Sequence, residues 1–300
     1  MMGLRILAIA PTSFFADYGC HVRILEEIRA LARRGHHTTL CTYHTGRTPP
    51  DIDVIRMPRV PWASAISIGS SLHKLYRDDS PLMRPLEWLE HAIERQADVI
   101  VTSSAHGAEH LRSSHRRPLD RVRVVPDGVG STVPSGASSI GTSRETLRTS
   151  LGIPPGRMVV AYLGLLADYQ GVDHILYAAR QVVERRQDVH FLIMGYPGLE
   201  QYRRQAYDLQ ILDHVTFTGR VPYEEAGAHL AVADIAISAK RSATEANGKL
   251  LNYMDAGLPT VVYDTPVARE LLGPLGAYVP AGDITGLAIA IEALMDDPAH

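Results

Sequence analysis

Nearly continuous apolar runs alternate along this chain with longer stretches in which apolar residues return every three or four positions. The first run, LRILAIA at 4–10, suits a strand buried on both faces. The stretch after it places Val22, Leu25, Ile28, Leu31 and Ala32 on one helical face and closes on Gly35 as a C-cap. Strands are predicted at 37–43, 53–57, 97–104 and 121–125, with helices at 88–96 and 108–113 between them. The same rhythm restarts further on, with strands at 158–164, 189–195, 214–219, 234–238, 259–264 and 277–280. Helical patterns at 172–186, 199–209, 223–233, after residue 247 and at 283–296 separate these strands.

Strands joined through helices must run parallel, because the crossover needs a dozen or more residues. The predicted fold class is therefore α/β, with two doubly wound, Rossmann-like parallel-sheet domains in tandem. Between them lies PDGVGSTVPSGASSIGTS at 126–143, whose Gly, Ser and Pro content marks a linker. The predicted organisation is an N-terminal domain at 1–130, a linker at 131–145 and a C-terminal domain at 146–300. No repeat of 20–50 residues is visible.

Composition narrows the function classes. A net charge of −3, from 30 basic and 33 acidic residues, provides no global attraction to nucleic acid or an anionic membrane. The basic run at 112–117 reads as a solvated loop. Cys20 and Cys41 form no CxxC pair, so a disulfide framework is not expected and a reducing, cytoplasmic setting is. The apolar run near the N-terminus is too short for a signal-peptide core and reads as a first strand. No run approaches the ~18 apolar residues of a membrane span.

Ligands of open parallel sheets bind outside the carboxyl ends of the strands, so the loops there carry the candidate chemistry. Gly19, in the first of them, lets backbone approach a ligand or simply turns the chain. Neither GxGxxG nor a Walker lysine pattern is present. The loop at 162–173 holds Gly164, Asp168, Gln170 and Gly171, yet no Lys or Arg to meet a phosphate. The richest stretch is TEANGKLLNYMDAG at 244–257. Asn247 reads as an N-cap and Gly248 exposes amides at a helix start. With Lys249 they make an anion site suited to phosphate. Glu245 is placed to accept from sugar hydroxyls, and Asn252 to reach further along the same ligand. Leu250, Leu251 and Met254 read as the core-facing stripe. The plainer alternative is a well-capped helix with Glu245 and Lys249 only solvated.

Three other motifs carry less. Asp51 and Asp53 match the DxD of metal-dependent sugar transferases, but equally an acidic turn before a strand. His106 and His110 have a zinc spacing without a third ligand. No GxSxG is present, and no Ser or Cys nucleophile follows from the sequence. No metal site is expected.

Several segments together resemble the retaining glycosyltransferases of the large family that includes sucrose-phosphate synthases and bacterial mannosyl- and glucosyltransferases, which have the GT-B fold. They are the start of the chain (4–42), RVRVVPDGVG, AYLGLLADYQGVDHILYAA, VHFLIMG, VTFTGRVP, ADIAIS and TEANGKLLNYMDAGLPTVVYD. The resemblance implies transfer of a sugar from a nucleoside-diphosphate sugar to a saccharide or lipid-linked acceptor with retention of configuration. No metal is required, and peripheral membrane contact is possible. Glu245 stands where the family meets the donor sugar, and Gly248 and Lys249 where it meets the diphosphate. Asn252 stands where a second Glu holds the ribose diol, and Arg220 and Val221 lie near the base. Catalytic roles thus fall to Glu245 and Lys249. Donor binding falls to Gly19, Gly164, Gln170, Arg220, Val221, Asn247, Gly248 and Asn252.

The chain also departs from the family pattern. Leu165 and Gln170 occupy the places of an Arg and a Lys, a charge that Lys249 could partly replace. Against that pattern the N-terminal domain reads as incomplete after residue 57, and the chain as ending before a final helix. A non-catalytic nucleotide- or sugar-binding remnant of the fold is the alternative function.

Overall fold

The computed structural model describes residues 3–10, 14–15, 19–58, 88, 99–114, 121–128, 144–241 and 247–297. It divides into two compact units, Met1–Val101 with Leu119–Arg123, and Thr102–Pro118 with Val124–His300. Residues 129–143, most of the expected linker, lie outside the described residues, as does the helix expected at 88–96 apart from Trp88.

In the first unit, β1 (Arg5–Ala10), β2 (His37–Thr42) and β3 (Asp53–Arg56) form a parallel sheet in that order. Leu7 pairs with Thr39, and Leu40 with Val54. Helix α1 (Gly19–Arg33) joins β1 to β2 and buries Leu25 and Ile28. Gly35, at φ 82°, turns the chain after it, as the C-cap reading requires. Asp51 accepts from Arg29 Nε at 2.7 Å, and that bond holds its carboxyl below the usual range. Asp53 accepts from Thr39 Oγ1 at 2.7 Å. The DxD-like pair is thus spent on structure.

Short strands β4 (Ile100–Thr102) and β5 (Val122–Val124) pair where the two units divide. The second unit then contains α2 (Ala105–Ser114) and α3 (Arg144–Ser150). Its six-stranded sheet is parallel throughout and ordered β11-β10-β9-β6-β7-β8. The strands are β6 (Met158–Leu163), β7 (Val189–Met194), β8 (Val215–Gly219), β9 (Ile235–Ser238), β10 (Thr260–Tyr263) and β11 (Gly276–Val279). Between them run α4 (Val172–Arg185), α5 (Leu199–Asp208), α6 (Tyr223–Leu230), α7 (Lys249–Asp255) and α8 (Pro266–Leu272). Helix α9 (Ile284–Asp296) follows β11 and packs on α4.

The core lies on both sides of this sheet. Val160 and Tyr162 of β6 face one layer with Ile175, Leu176 and Ile291. Val159 and Ala161 face the other with Leu250, Tyr253 and Val262. Both faces of the strand are therefore apolar, which is why its sequence does not alternate. Helices α3 and α8 were not anticipated. The first is short, buries no residue and is anchored by charge: Arg144 and Arg148 reach the Asp234 carboxylate at 2.6 and 2.7 Å. The second starts on Pro266 after Thr265, whose hydroxyl accepts from Ala268 N at 3.2 Å, a cap written in the sequence but overlooked there.

One feature of the strand order positions the site. Successive strands β6, β7 and β8 run to one side, and the chain then crosses back to place β9 against the other edge of β6. The carboxyl ends of β6 and β9 therefore diverge into helices on opposite sides of a crevice, where open α/β sheets bind ligands.

Candidate functional site

At that crevice the loops after β6 and β9 interlock through glycines. Gly164 follows β6 at φ 151°, and a Cβ there would lie 2.9 Å from Lys249 Nζ and 3.0 Å from its Cε. The missing side chain makes the space that the lysine occupies. Gly171 closes the turn Asp168–Gln170 at φ 70°, and a Cβ there would lie 2.1 Å from Ala239 O. The turn thus rests directly on the end of β9, backbone against backbone.

Lys249, the first residue of α7, is half-buried and points back toward β6. Its Nζ donates to Gln170 Oε1 at 2.6 Å and to Tyr162 Oη at 3.3 Å, and stands 4.4 Å from the centre of the Tyr162 ring. Tyr162 is fully buried and donates to Leu165 O at 2.7 Å, and burial raises its phenol well above the ordinary value. Gly164 and Gln170, two residues that sequence reasoning placed in the donor site, therefore both lie against Lys249, a third. Tyr162 was missed, because inside an apolar strand nothing in its neighbours distinguishes a tyrosine under a cation from one that fills the core.

The start of α7 differs from expectation in two ways. Asn247 does not cap the helix: the cap position is Gly248, with no side-chain bond to it. The Asn247 side chain instead turns inward, is buried, and donates from Nδ2 to Ser238 Oγ at 3.1 Å. The Asn247 Oδ1, the atom that would accept from the helix amides in a cap, is buried without a partner. Nor do Leu251 and Met254 face the core; Leu250 and Tyr253 do, while Met254 is 44% exposed. Tyr253 is chosen because its hydroxyl serves two backbone groups across the crevice, accepting from Leu163 N at 2.9 Å and donating to Ile237 O at 3.2 Å. Since α7 is only seven residues long, its dipole is small, and the local positive charge rests mainly on the Lys249 side chain.

Asn252 lies one turn inside α7, its Nδ2 3.5 Å from Gly248 O. Arg220, in the connection after β8, lies over the Tyr196 ring at 5.3 Å, and Val221 beside it packs on the core. Gly19 begins α1 in the other unit, where a Cβ would meet nothing within 4 Å. Glu245 belongs to 242–246, outside the described residues. His106 lies on α2, and the His110 side chain is outside the described ones. Among the described residues no three His, Cys, Asp or Glu side chains converge to hold a metal.

A pocket in the same unit is lined by Ser103, Ser104, Asp127, Gly248, Leu251 and Glu270. Both Glu270 oxygens accept from Ala105 N, at 2.7 and 2.9 Å, and Ser104 Oγ accepts from Gly107 N at 3.0 Å. These groups satisfy the first amides of α2.

Residues 143–300 match the family model of the glycosyl transferases group 1. The chain belongs to that family. Among curated relatives of this group 1 chain is 2-deoxystreptamine glucosyltransferase of Streptomyces kanamyceticus, 25% identical over 81% of this chain and 64% of its own length. Another is D-inositol 3-phosphate glycosyltransferase of Corynebacterium aurimucosum, 27% identical over 82% of this chain and 59% of its own length. The chain thus spans less than two thirds of these relatives. In fold it matches sucrose-phosphate synthase of Thermosynechococcus elongatus, with a TM-score of 0.79 and 18% identity over 99% of this chain and 91% of that one. It also matches Anabaena HepE in complex with UDP and glucose, with a TM-score of 0.75 and 16% identity over 98% and 90% of the two chains. The architecture is that of the GT-B glycosyltransferases, as the sequence resemblance implied. No described helix is long and apolar enough to cross a membrane.

Proposed function

We propose that this chain binds a nucleoside-diphosphate sugar at the carboxyl ends of β6 and β9 and transfers the sugar to a saccharide or lipid-linked acceptor with retention of configuration. The observation that carries this reading is the Lys249 ammonium, set at the crevice by Gln170 at 2.6 Å. A half-buried cation at that place meets the diphosphate of a donor and stabilises the charge that develops as the glycosidic bond breaks. Lys249 then takes over the charge that the loop after β6 lacks. Gly248 offers backbone beside it, Glu245 orients the donor sugar, and Asn252, Arg220 and Val221 contact the nucleoside. The electrostatic work is done by protein groups, without a metal.

Isothermal titration of UDP, GDP and ADP against the wild type and Lys249→Ala tests the binding step. Loss of about tenfold or more in affinity for one nucleotide supports the assignment, and equal affinity removes Lys249 from the site. Incubation with sugar donors, followed by NMR of the product's anomeric signals, tests transfer and its stereochemistry. Binding without turnover on any donor would instead favour a non-catalytic binding protein.

A further inference from the structure

The turn Asp168–Gln170 is gripped from two sides by residues that flank 242–246. On one side, Arg241 N donates to Tyr169 O at 3.0 Å and its guanidinium donates to Asp168 O. On the other, Lys249 Nζ donates to Gln170 Oε1 at 2.6 Å. Two further contacts hold the turn itself: Tyr202 Oη donates to Asp168 Oδ1 at 3.1 Å, and Gly171 lies against Ala239 O. Arg241 is in turn oriented by Asp173 at 3.8 Å and His174 at 3.4 Å, and His174 Nδ1 is 2.7 Å from Tyr263 Oη. The guanidinium is thus spent on backbone and on its own neighbours at the base of the turn.

We propose that Arg241 and Gln170 are positioning residues for Lys249: Arg241 fixes the turn, and the turn presents the Gln170 amide that aims the ammonium. The inference rests on the reading of Lys249 given above and adds to it Arg241, which acts through the turn on Gln170, and through Gln170 on the lysine. A lysine side chain has four rotatable bonds, and fixing them costs conformational entropy. Gln170 and the Tyr162 ring meet that cost before any ligand arrives, so affinity for an anion depends on the turn even though its loop carries no positive charge.

Titration of UDP, GDP and ADP into Gln170→Ala, Arg241→Ala and Arg241→Lys, each also combined with Lys249→Ala, tests this. Both alanine variants are expected to weaken the nucleotide that binds the wild type by about fivefold or more, and neither to weaken it further once Lys249 is gone. Arg241→Lys keeps a donor for Asp168 O and is expected to recover part of the loss. The isosteric Gln170→Glu keeps the contact but sets a carboxylate against the ammonium, so it too weakens binding, and Arg241→Lys decides the matter if an alanine variant fails to fold. Wild-type affinity in the Gln170 variants and in Arg241→Ala, or losses that add in full to that of Lys249→Ala, would overturn the proposal while leaving Lys249 in the site. Wild-type affinity in Lys249→Ala alone would overturn the underlying reading, which is a different result.

Discussion

Lys249 Nζ lies 2.6 Å from Gln170 Oε1, although 79 residues separate them in the chain. The neutral amide stands where the family resemblance leads one to expect a lysine, and the lysine reaches it from the next loop. The two positions therefore form one site with a single charge. Introducing the family's residue by Gln170→Lys sets two ammonium groups against each other. A like-charge pair at that spacing in a half-buried site costs on the order of 1–4 kcal/mol. Urea unfolding is expected to show a lowered midpoint for Gln170→Lys, and a second change, Lys249→Met, to recover most of it.

Gly171 is expected to be intolerant of any side chain. Its φ of 70° disfavours L-residues, and a Cβ would sit 2.1 Å from Ala239 O. Gly171→Ala is expected to lower stability by about 2 kcal/mol or more, read as a shift in urea midpoint at constant slope. Gly152, also at positive φ but with open space around it, is expected to lose only about 1 kcal/mol on the same change.

Tyr253 joins the ends of β6 and β9 through one hydroxyl. In Tyr253→Phe, Leu163 N and Ile237 O lose that partner in a buried setting, at about 1–3 kcal/mol. Because these groups flank the crevice, the same variant is expected to weaken nucleotide binding, whereas Tyr202→Phe acts only through the turn. Comparing their thermal midpoints and UDP titrations checks the distinction.

The stability of the second unit is expected to fall in mild acid through His190. Burial, with smaller contributions from the positive charge of Arg157 and His214, lowers its pKa from 6.5 to about 4. Its Nε2 lies 2.9 Å from Thr216 Oγ1, while Nδ1 has no partner. The unfolded chain takes up a proton near pH 6.5 and the folded chain only near pH 4, so between those values the unfolded state binds more protons. The contribution is complete above about pH 6.5 and is lost progressively down to about pH 4, by no more than about 3 kcal/mol. Urea midpoints measured from pH 7.5 to 4.5 are expected to fall more steeply for the wild type than for His190→Gln.

The elements were legible wherever burial on both faces or on one stripe set the residue pattern, as in β6, β7 and α4. Helix α3 was not, since it only half-buries Leu147 and is held by Arg144 and Arg148 on Asp234, a pairing across 90 residues that no local rhythm records. Of the candidate site, Gly164, Gln170 and Lys249 were each identified, the first two in the loop at 162–173 and the lysine in another, with no contact between the two loops legible. Asn247 was assigned to a cap because capping is decided by neighbours in sequence, whereas its actual partner, Ser238 Oγ, is a neighbour in space.

By itself the sequence determined the parallel α/β class and its strand–helix order, because those follow from the period with which apolar residues repeat. It also determined which loops hold glycine, cation and amide. Only the tertiary structure decided that β9 returns to the far edge of β6, that Gln170 and Tyr162 receive the Lys249 ammonium, and that Arg241 and Lys249 hold one turn from two sides. Strand order is set by how helices pack on a sheet, and side-chain pairing by which strand ends that order makes adjacent. Neither quantity is local to the chain.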